Sequence, residues 1–304
     1  MSDGLSPNQP ASMFRTPAGQ ARYFAAYDAT LALWSVPVES IDVPTRFGRT
    51  HVHVCGSADA PPLLLLPGQA ISSTMWYPNI SALSREFLVY VPDILGDMGK
   101  SVSARPFKQP ADFAEWLVDL LDELRLATVH VAGLSYGGFI ALRLALAAPA
   151  RVRKLVLMSP ASLLTIRFQF FMRMAAVFLP SFVLSPKSKQ ALLLGVYSPL
   201  AAPAIKQVLT KTDFRYSMYL PPVIKDAELQ AITTPTLLLL GDREVVYNYK
   251  AVLKRAEKYL PTVKTEIIHG AGHALNFDAP ERVNASILAF LNEDPRPPVS
   301  APAQ

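Results

Sequence analysis

The sequence predicts an α/β fold, in which a mostly parallel central sheet is flanked by helices on both faces. Short apolar runs alternate along the chain with longer segments of helical period, which is the pattern of strand–helix–strand units. The later apolar runs are continuous, as in strands that are buried on both faces. The chain has 304 residues, of which 51% are hydrophobic and 17% charged, so it can bury a large core and does not have the composition of a disordered chain.

Seven apolar runs are predicted as strands, and segments of helical period between and around them as helices. The strands span residues 49–54, 63–66, 87–91, 128–132, 155–158, 236–240 and 265–268. The helices span residues 21–34, 113–124, 139–148, 252–260 and 282–291. The second helix shows the pattern most clearly, because apolar residues recur at helical spacing while acidic residues occupy the other face. Its apolar positions are Phe113, Trp116, Leu117, Leu120, Leu121 and Leu124.

The alternation of strands and helices is interrupted once, by a segment rich in aromatic residues and methionine. Residues 161–232 lie between two predicted strands, and a structureless loop of that length is improbable in a compact domain. The segment is predicted to be an inserted helical cap, and extra core helices are the alternative. The α/β core then comprises residues 21–160 and 233–294, with flexible tails at 1–20 and 295–304.

Composition excludes several classes of protein. The net charge of +5 comes from scattered basic residues, with neither the basic stripe nor the module of a nucleic-acid-binding protein. Cys55 is the one cysteine, so no internal disulfide can form, and it is expected to be a small buried residue. Residues 1–20 lack the apolar core of a signal peptide, and the apolar stretch 163–184 is interrupted by charges and proline. A cytoplasmic protein without a membrane span is expected.

The motif Gly133-Leu134-Ser135-Tyr136-Gly137 is the strongest indication of function. It follows a predicted strand and precedes a predicted helix, and a sharp strand–turn–helix of this kind exposes a serine hydroxyl above the sheet edge. An ordinary glycine-rich turn is the alternative. The context favours Ser135 as a nucleophile.

A serine hydroxyl needs an adjacent base, and His273 is the best candidate among five histidines. It lies in a glycine-containing loop beyond a late strand, where catalytic groups of open α/β sheets collect. His51, His53 and His130 lie within predicted strands and are expected to be structural.

An acid is needed to orient the imidazole, and two carboxylates follow the strand at 236–240. Glu244 is favoured and Asp242 is the alternative. Asp242 directly follows a glycine, where a short carboxylate commonly bonds backbone N–H groups and holds a turn. The oxyanion hole is predicted from the backbone N–H groups of Tyr136, directly after the nucleophile, and of Gln69, in the loop after an early strand.

Together these segments resemble the α/β-hydrolase superfamily, in particular its cap-bearing, esterase-like members. The resemblance extends from residue 42 to residue 291. It includes the oxyanion strand and loop at 64–76, a segment at 93–101 similar to Asp-x-x-Gly-x-Gly-x-Ser, and the histidine loop at 270–283. It implies an acid at the third position after Gly241, which is Glu244. There are two departures: Pro67-Gly68 stands where His-Gly is common, and the acid is glutamate where aspartate is commoner.

The sequence therefore predicts a serine hydrolase that cleaves a carboxylic ester or related acyl bond through an acyl-enzyme intermediate. Acyl transfer, thioester hydrolysis and C–C bond hydrolysis use the same groups and remain alternatives, as does a non-catalytic binding homologue. No cofactor or metal is expected. The partner is expected to be a small, apolar acyl substrate, and the protein a monomer or homodimer. Phe168, Phe171 and Phe277 are predicted to line the substrate pocket.

Overall fold

A nine-stranded sheet forms the centre of the part of the chain that the computed structural model describes. That part comprises residues 14–165, 198–210 and 219–293, with positions 167, 170, 172, 176, 179, 183–185 and 187–189. The strands are β1 (Glu39–Thr45), β2 (Gly48–Cys55), β3 (Pro62–Leu66), β4 (Leu88–Pro92), β5 (Val102–Ser103), β6 (Val129–Leu134), β7 (Val152–Met158), β8 (Thr236–Gly241) and β9 (Val263–Ile268). They lie in the order β1-β2-β4-β3-β6-β7-β8-β9, with β5 paired to β2.

Helices separate the strands and cover both faces of the sheet. They are α1 (Pro17–Leu31), α2 (Ile80–Leu83), α3 (Pro110–Glu123), α4 (Tyr136–Ala147), α5 (Ala202–Thr210), α6 (Asp226–Gln230), α7 (Tyr249–Tyr259), α8 (Leu275–Asp278) and α9 (Pro280–Asn292). Every pair from β4 through β9 in the sheet order is parallel, whereas β2 pairs antiparallel with β1, β4 and β5. The predicted fold class is confirmed.

The continuous apolar strands follow from burial on two faces. Successive side chains of a strand point to opposite faces, and both faces of β3 are covered. Leu64 and Leu66 pack in the cluster beneath α3 and α4, whereas Leu63 and Leu65 pack in the cluster beneath α9. All four side chains are fully buried. The strand therefore needs no alternation of apolar and polar residues, and its continuous apolar run predicted this burial on both faces.

The strands β1 and β5 were not predicted, because neither is an apolar run. In β1, residues 39–45 mix exposed and half-buried positions, and only Val43 is buried. A tight turn joins β1 to β2, with Gly48 at φ +137°, where the position of a Cβ would be 2.2 Å from the carbonyl oxygen of Val102. Residue 48 must therefore be glycine. The turn sets the antiparallel register, in which Thr45 lies opposite Gly48.

The first helix begins at Pro17, earlier than the predicted residue 21. Thr16 caps it by accepting a hydrogen bond from the Gly19 N–H at 3.0 Å, and proline is favoured in the first turn. The side chain of Phe14 is buried against Tyr23, so the ordered region also includes part of the segment predicted as a tail.

The predicted cap is described only in part. Its two ends meet, because the N–H of Ile224 donates to the carbonyl of Ser162 at 3.0 Å. Between them lies α5, whose Gln207 is fully buried and bonds Ser72 and Thr74 of the loop after β3. The tail predicted at 295–304 lies outside the described residues. Across the described ranges, no helix has the length and apolarity needed to cross a bilayer.

Candidate active site

Ser135 lies at a sharp turn between β6 and α4, as the motif predicted. Its φ is +51°, a left-handed conformation that is rare for residues other than glycine. A Cβ at Gly133 would lie 2.4 Å from the carbonyl oxygen of Gly137, and one at Gly137 would lie 2.2 Å from that of Leu66. The two glycines of the motif therefore permit the close approach of backbones that this turn requires.

Ser135, His273 and Glu244 come together at the carboxyl edge of the sheet, although 138 residues separate the first two. The Oγ of Ser135 lies 2.9 Å from Nε2 of His273, and Nδ1 of His273 lies 2.8 Å from Oε2 of Glu244. Both are hydrogen-bonding distances. His273 and Glu244 are each only 6% exposed, so the chain of hydrogen bonds is shielded from water.

The carboxylate of Glu244 is held from both oxygens. Oε1 accepts the N–H of Val246 at 2.7 Å, and Oε2 faces His273. Burial alone would raise the pKa of Glu244, but the charge of His273 and these hydrogen bonds outweigh burial and lower the pKa below its ordinary value. Glu244 is therefore an anion that can stabilise a positive charge on the imidazole.

Two hydrogen bonds fix the loop directly before His273. The N–H of Gly272 donates to Asp278 at 2.6 Å, and the carbonyl of Ala271 accepts the N–H of Arg243 at 2.9 Å. The second bond joins the loop directly to the segment that carries Glu244. Acid and histidine are thus set in register by backbone as well as by side chains.

Asp242, the alternative acid, lies with a different histidine. Its carboxylate contacts Nδ1 of His269 at 3.0 Å and accepts the N–H of Gly270 at 2.8 Å. The hydrogen bond from His269 and that from the Gly270 N–H lower its pKa. Asp242 therefore accepts a backbone N–H as expected, but that N–H belongs to the histidine loop and not to a turn of its own loop.

The two predicted oxyanion donors lie at adjoining strand ends. Tyr136 opens α4, and Gln69 follows β3, the parallel neighbour of β6. A Cβ at Gly68 would contact Leu134 at 3.8 Å, so the loop lies against the residue before Ser135. Within the described ranges, no hydrogen bond uses the N–H of Gln69 or of Tyr136. Both N–H groups remain the predicted oxyanion donors.

The three histidines predicted to be structural lie away from Ser135 in the sheet. His53 is fully buried in β2, bonds Tyr27 and Ser40, and has its pKa lowered to about 4 by burial. Burial likewise lowers the pKa of His130 in β6 to about 4. Both are neutral core residues near pH 7.

Of the predicted pocket residues, Phe168 and Phe171 lie outside the described residues. Phe277 is 2% exposed in α8, with its ring centroid 5.5 Å from that of Tyr77. The sequence reasoning missed Phe170, whose ring centroid lies 6.5 Å from the His273 ring, and Tyr247, fully buried at 5.9 Å from that ring. Only their aromatic character marked them, and many other residues of the chain share it.

Comparison with known proteins identifies the family of the chain. The model of the alpha/beta hydrolase family matches residues 63–286. Carboxylesterase YbfK of Bacillus subtilis is 36% identical over 297 residues, which are 93% of this chain and 98% of the relative. The crystal structure of that carboxylesterase superposes with a TM-score of 0.84 at 35% identity, covering 90% of this chain and 99% of the other. The crystal structure of naproxen esterase from B. subtilis has a TM-score of 0.84 at 34% identity, covering 91% and 99%. The chain belongs to the α/β-hydrolase family.

Proposed function

We propose that this enzyme hydrolyses carboxylic esters, with Ser135 as nucleophile, His273 as general base and Glu244 as the orienting acid. The observation that carries the proposal is the continuous chain of hydrogen bonds from Ser135 Oγ through His273 to Glu244. Its relatives support the substrate class, because two that are 36% and 35% identical are carboxylesterases by name. The chemistry also agrees with a buried, anionic acid beside the histidine.

Ser135 attacks the ester carbonyl while His273 Nε2 takes its proton. The imidazolium that forms is stabilised by the Glu244 carboxylate, and it then gives the proton to the departing alcohol. Water, activated by the same Nε2, attacks the acyl-enzyme and releases the acid. The N–H groups of Gln69 and Tyr136 bind the oxyanion in both tetrahedral intermediates.

Apolar residues over Ser135 are proposed to select the acyl group. Phe170 supports this, because it brings part of the proposed cap, residues 161–232, close to His273. Phe168 and Phe171, its neighbours in sequence, are proposed to contribute to this selection, as is Phe277 of α8. Shrinking Phe168 or Phe171 to alanine should shift preference among acyl chain lengths more than it changes activity on acetate esters. A change confined to the melting temperature would instead mark these rings as internal to the cap.

A fluorophosphonate probe tests the nucleophile directly. The parent enzyme should form one covalent adduct at Ser135, and Ser135→Ala should form none. The acid variant Glu244→Gln should label more slowly than the parent, because His273, the base that activates Ser135, loses its orienting acid. Absence of an adduct on the parent, or an adduct that survives in Ser135→Ala, would show that the nucleophile is wrong.

A panel of substrates can identify which type of bond the enzyme cleaves. Aryl esters, acyl thioesters and β-diketones share the carbonyl that Ser135 would attack, but they differ in the bond that breaks. The ester should have the highest kcat/KM, and thioester hydrolysis and C–C cleavage are the competing outcomes. Repeating the ester assay with added alcohol separates hydrolysis from acyl transfer by the product formed. The cytoplasmic location and the oligomeric state, a monomer or a homodimer, stay predictions from the sequence.

A further inference from the structure

Two aspartates from one loop hold the loop that carries Gln69. The loops after β3 and β4 lie side by side, because these parallel strands are neighbours in the sheet. Asp93 accepts the N–H of Ser73 at 2.9 Å, and Asp97 accepts the N–H of Ala70 with both oxygens, at 3.2 and 3.0 Å. The loop after β3 is therefore fastened at two points, one of them directly beside Gln69.

The peptide groups on both sides of the Gln69 amide are held by hydrogen bonds, whereas no hydrogen bond within the described ranges uses the Gln69 N–H itself. The Gly68 N–H contacts Sδ of Met75 at 3.4 Å, and the Ala70 N–H is bound by Asp97. Ala70 has φ +59°, a left-handed conformation that is unfavourable for a residue with a Cβ. A strained conformation at that position needs an interaction that holds it, and the Asp97 carboxylate provides one.

Asp97 is itself rigidly placed. It is 6% exposed, its own N–H donates to the Ile94 carbonyl at 3.1 Å, and its Oδ1 accepts the Met98 N–H at 2.7 Å. Met98 is fully buried against Phe14, Tyr23 and Tyr27. The carboxylate is therefore anchored to the hydrophobic cluster beneath α1, and it can transmit that rigidity to Ala70.

We propose that Asp97 is a positioning residue for the oxyanion hole: by binding the Ala70 N–H it fixes the direction of the Gln69 N–H. Asp97 does not touch the substrate and acts only through the loop. This inference rests on the proposed function, since it concerns where the oxyanion of the ester reaction is bound. The Asp97 carboxylate would by itself repel a nearby oxyanion. For Asp97 to speed the reaction, its alignment of the Gln69 N–H must therefore outweigh that repulsion.

Two substitutions separate alignment from charge. Asp97→Ala removes the acceptor and the charge, whereas Asp97→Asn removes the charge and keeps one acceptor oxygen. We expect kcat on an aryl ester to fall about 100-fold in Asp97→Ala and about tenfold in Asp97→Asn, with KM within about threefold, since a displaced donor acts on the transition state. If Asp97→Ala does not fold, Asp97→Asn alone decides. A kcat for Asp97→Asn equal to or above that of the parent would overturn the proposal.

A matched control is Asp112→Ala. Asp112 is also a buried aspartate that accepts two backbone N–H groups, of Lys108 and Gln109, but it does so at the start of α3. That variant should lose melting temperature while keeping the kcat of the parent. An equal loss of kcat in Asp112→Ala would mean that general destabilisation explains the Asp97 variants.

Inhibitor binding and hydrogen exchange give readouts that a merely structural role would not change. The Ki of a trifluoromethyl ketone, whose adduct carries an oxyanion, should rise in the Asp97 variants in proportion to the loss of kcat/KM. The Ki of a carboxylic acid product should stay constant, and amides of residues 68–72 should exchange faster while the β-sheet keeps its protection. An unchanged ketone Ki would refute the role of Asp97 even with a fully active parent. A parent that fails to label with fluorophosphonate would remove the proposed function, and this inference with it.

Discussion

Replacing Glu244 by glutamine tests the acid with almost no change of shape. Glu244 uses one oxygen for His273 and the other for the Val246 N–H, at 2.8 and 2.7 Å. Glutamine has one oxygen and one NH₂ group, so it can satisfy only one of these partners. If the NH₂ group faces Val246, two donors meet in a buried site, which costs about 1–3 kcal/mol. If it faces His273, the imidazole must carry its proton on Nε2, where it cannot accept that of Ser135.

The expected loss follows from these two arrangements. Either one removes the negative charge that stabilises the imidazolium, and one of them also selects the inactive tautomer. Replacing the corresponding acid by its amide lowers kcat by about 10⁴-fold when the inactive tautomer is selected, and glutamine that keeps its oxygen toward Nδ1 would lose less. We therefore expect kcat of Glu244→Gln to fall by about 10²–10⁴-fold, which is about 2.7–5.4 kcal/mol of transition-state stabilisation.

The assay is steady-state hydrolysis of an aryl ester, with the melting temperature measured on the same preparations. Asp242→Asn is the matched control, because Asp242 follows the same strand but contacts His269 and the Gly270 N–H at the surface. It should keep near-normal kcat and lose a little melting temperature. The reverse result, an inactive Asp242→Asn beside a nearly normal Glu244→Gln, would assign the acid to Asp242 and refute this reading of the site.

Three further results are expected. Ser135→Ala should lose about 10³-fold or more in kcat at an unchanged melting temperature, because one half-buried hydroxyl is removed without opening a cavity; a few per cent of residual activity would contradict it. Folding lowers the pKa of the Glu244 carboxyl, so the ionised carboxylate stabilises the fold fully above its unfolded pKa of about 4.3, and this stabilisation is lost as pH falls through its folded pKa. Below about pH 4 the melting temperature of the parent should therefore fall faster than that of Glu244→Gln. Parallel curves of melting temperature against pH would contradict this. Gly137→Ala should cost about 3 kcal/mol or more in denaturant unfolding because its Cβ meets the Leu66 carbonyl, whereas Gly270→Ala, with open space but φ +83°, should cost about 1 kcal/mol; equal effects would contradict the close approach at the turn.

The fold was predictable where side chains report burial directly. The seven predicted strands are all present, because residues such as Leu63 to Leu66 read as strand whichever face they cover. The strands β1 and β5 were missed because their pairing is encoded in a glycine turn and in contacts with β2 rather than in an apolar run. The early start of α1 depends on a cap formed by Thr16. The helix was predicted from the apolar residues that follow, and these do not reveal the cap.

The site was predictable where one local motif dictates geometry. Ser135 lies in a strand–turn–helix whose glycines can be read from five residues, and His273 lies in a loop beyond a late strand. The choice between Glu244 and Asp242 depended on which carboxylate reaches across to His273, and a sequence does not contain that distance. Asp97 was inside a segment that the sequence reasoning quoted, but its bond to Ala70 joins two loops, so no pattern in either loop reveals it.

The loops at the carboxyl edge of the sheet share one means of support. Carboxylates hold them by accepting backbone N–H groups. The pairs are Asp97 with Ala70, Asp93 with Ser73, Glu244 with Val246, Asp242 with Gly270 and Asp278 with Gly272. Each such bond fixes a peptide plane, and the direction of an adjacent donor or ring follows from that plane. All of these carboxylates except Glu244 take no part in the proposed chemistry, so reading only the nucleophile, base and acid from a sequence leaves part of the active site undescribed.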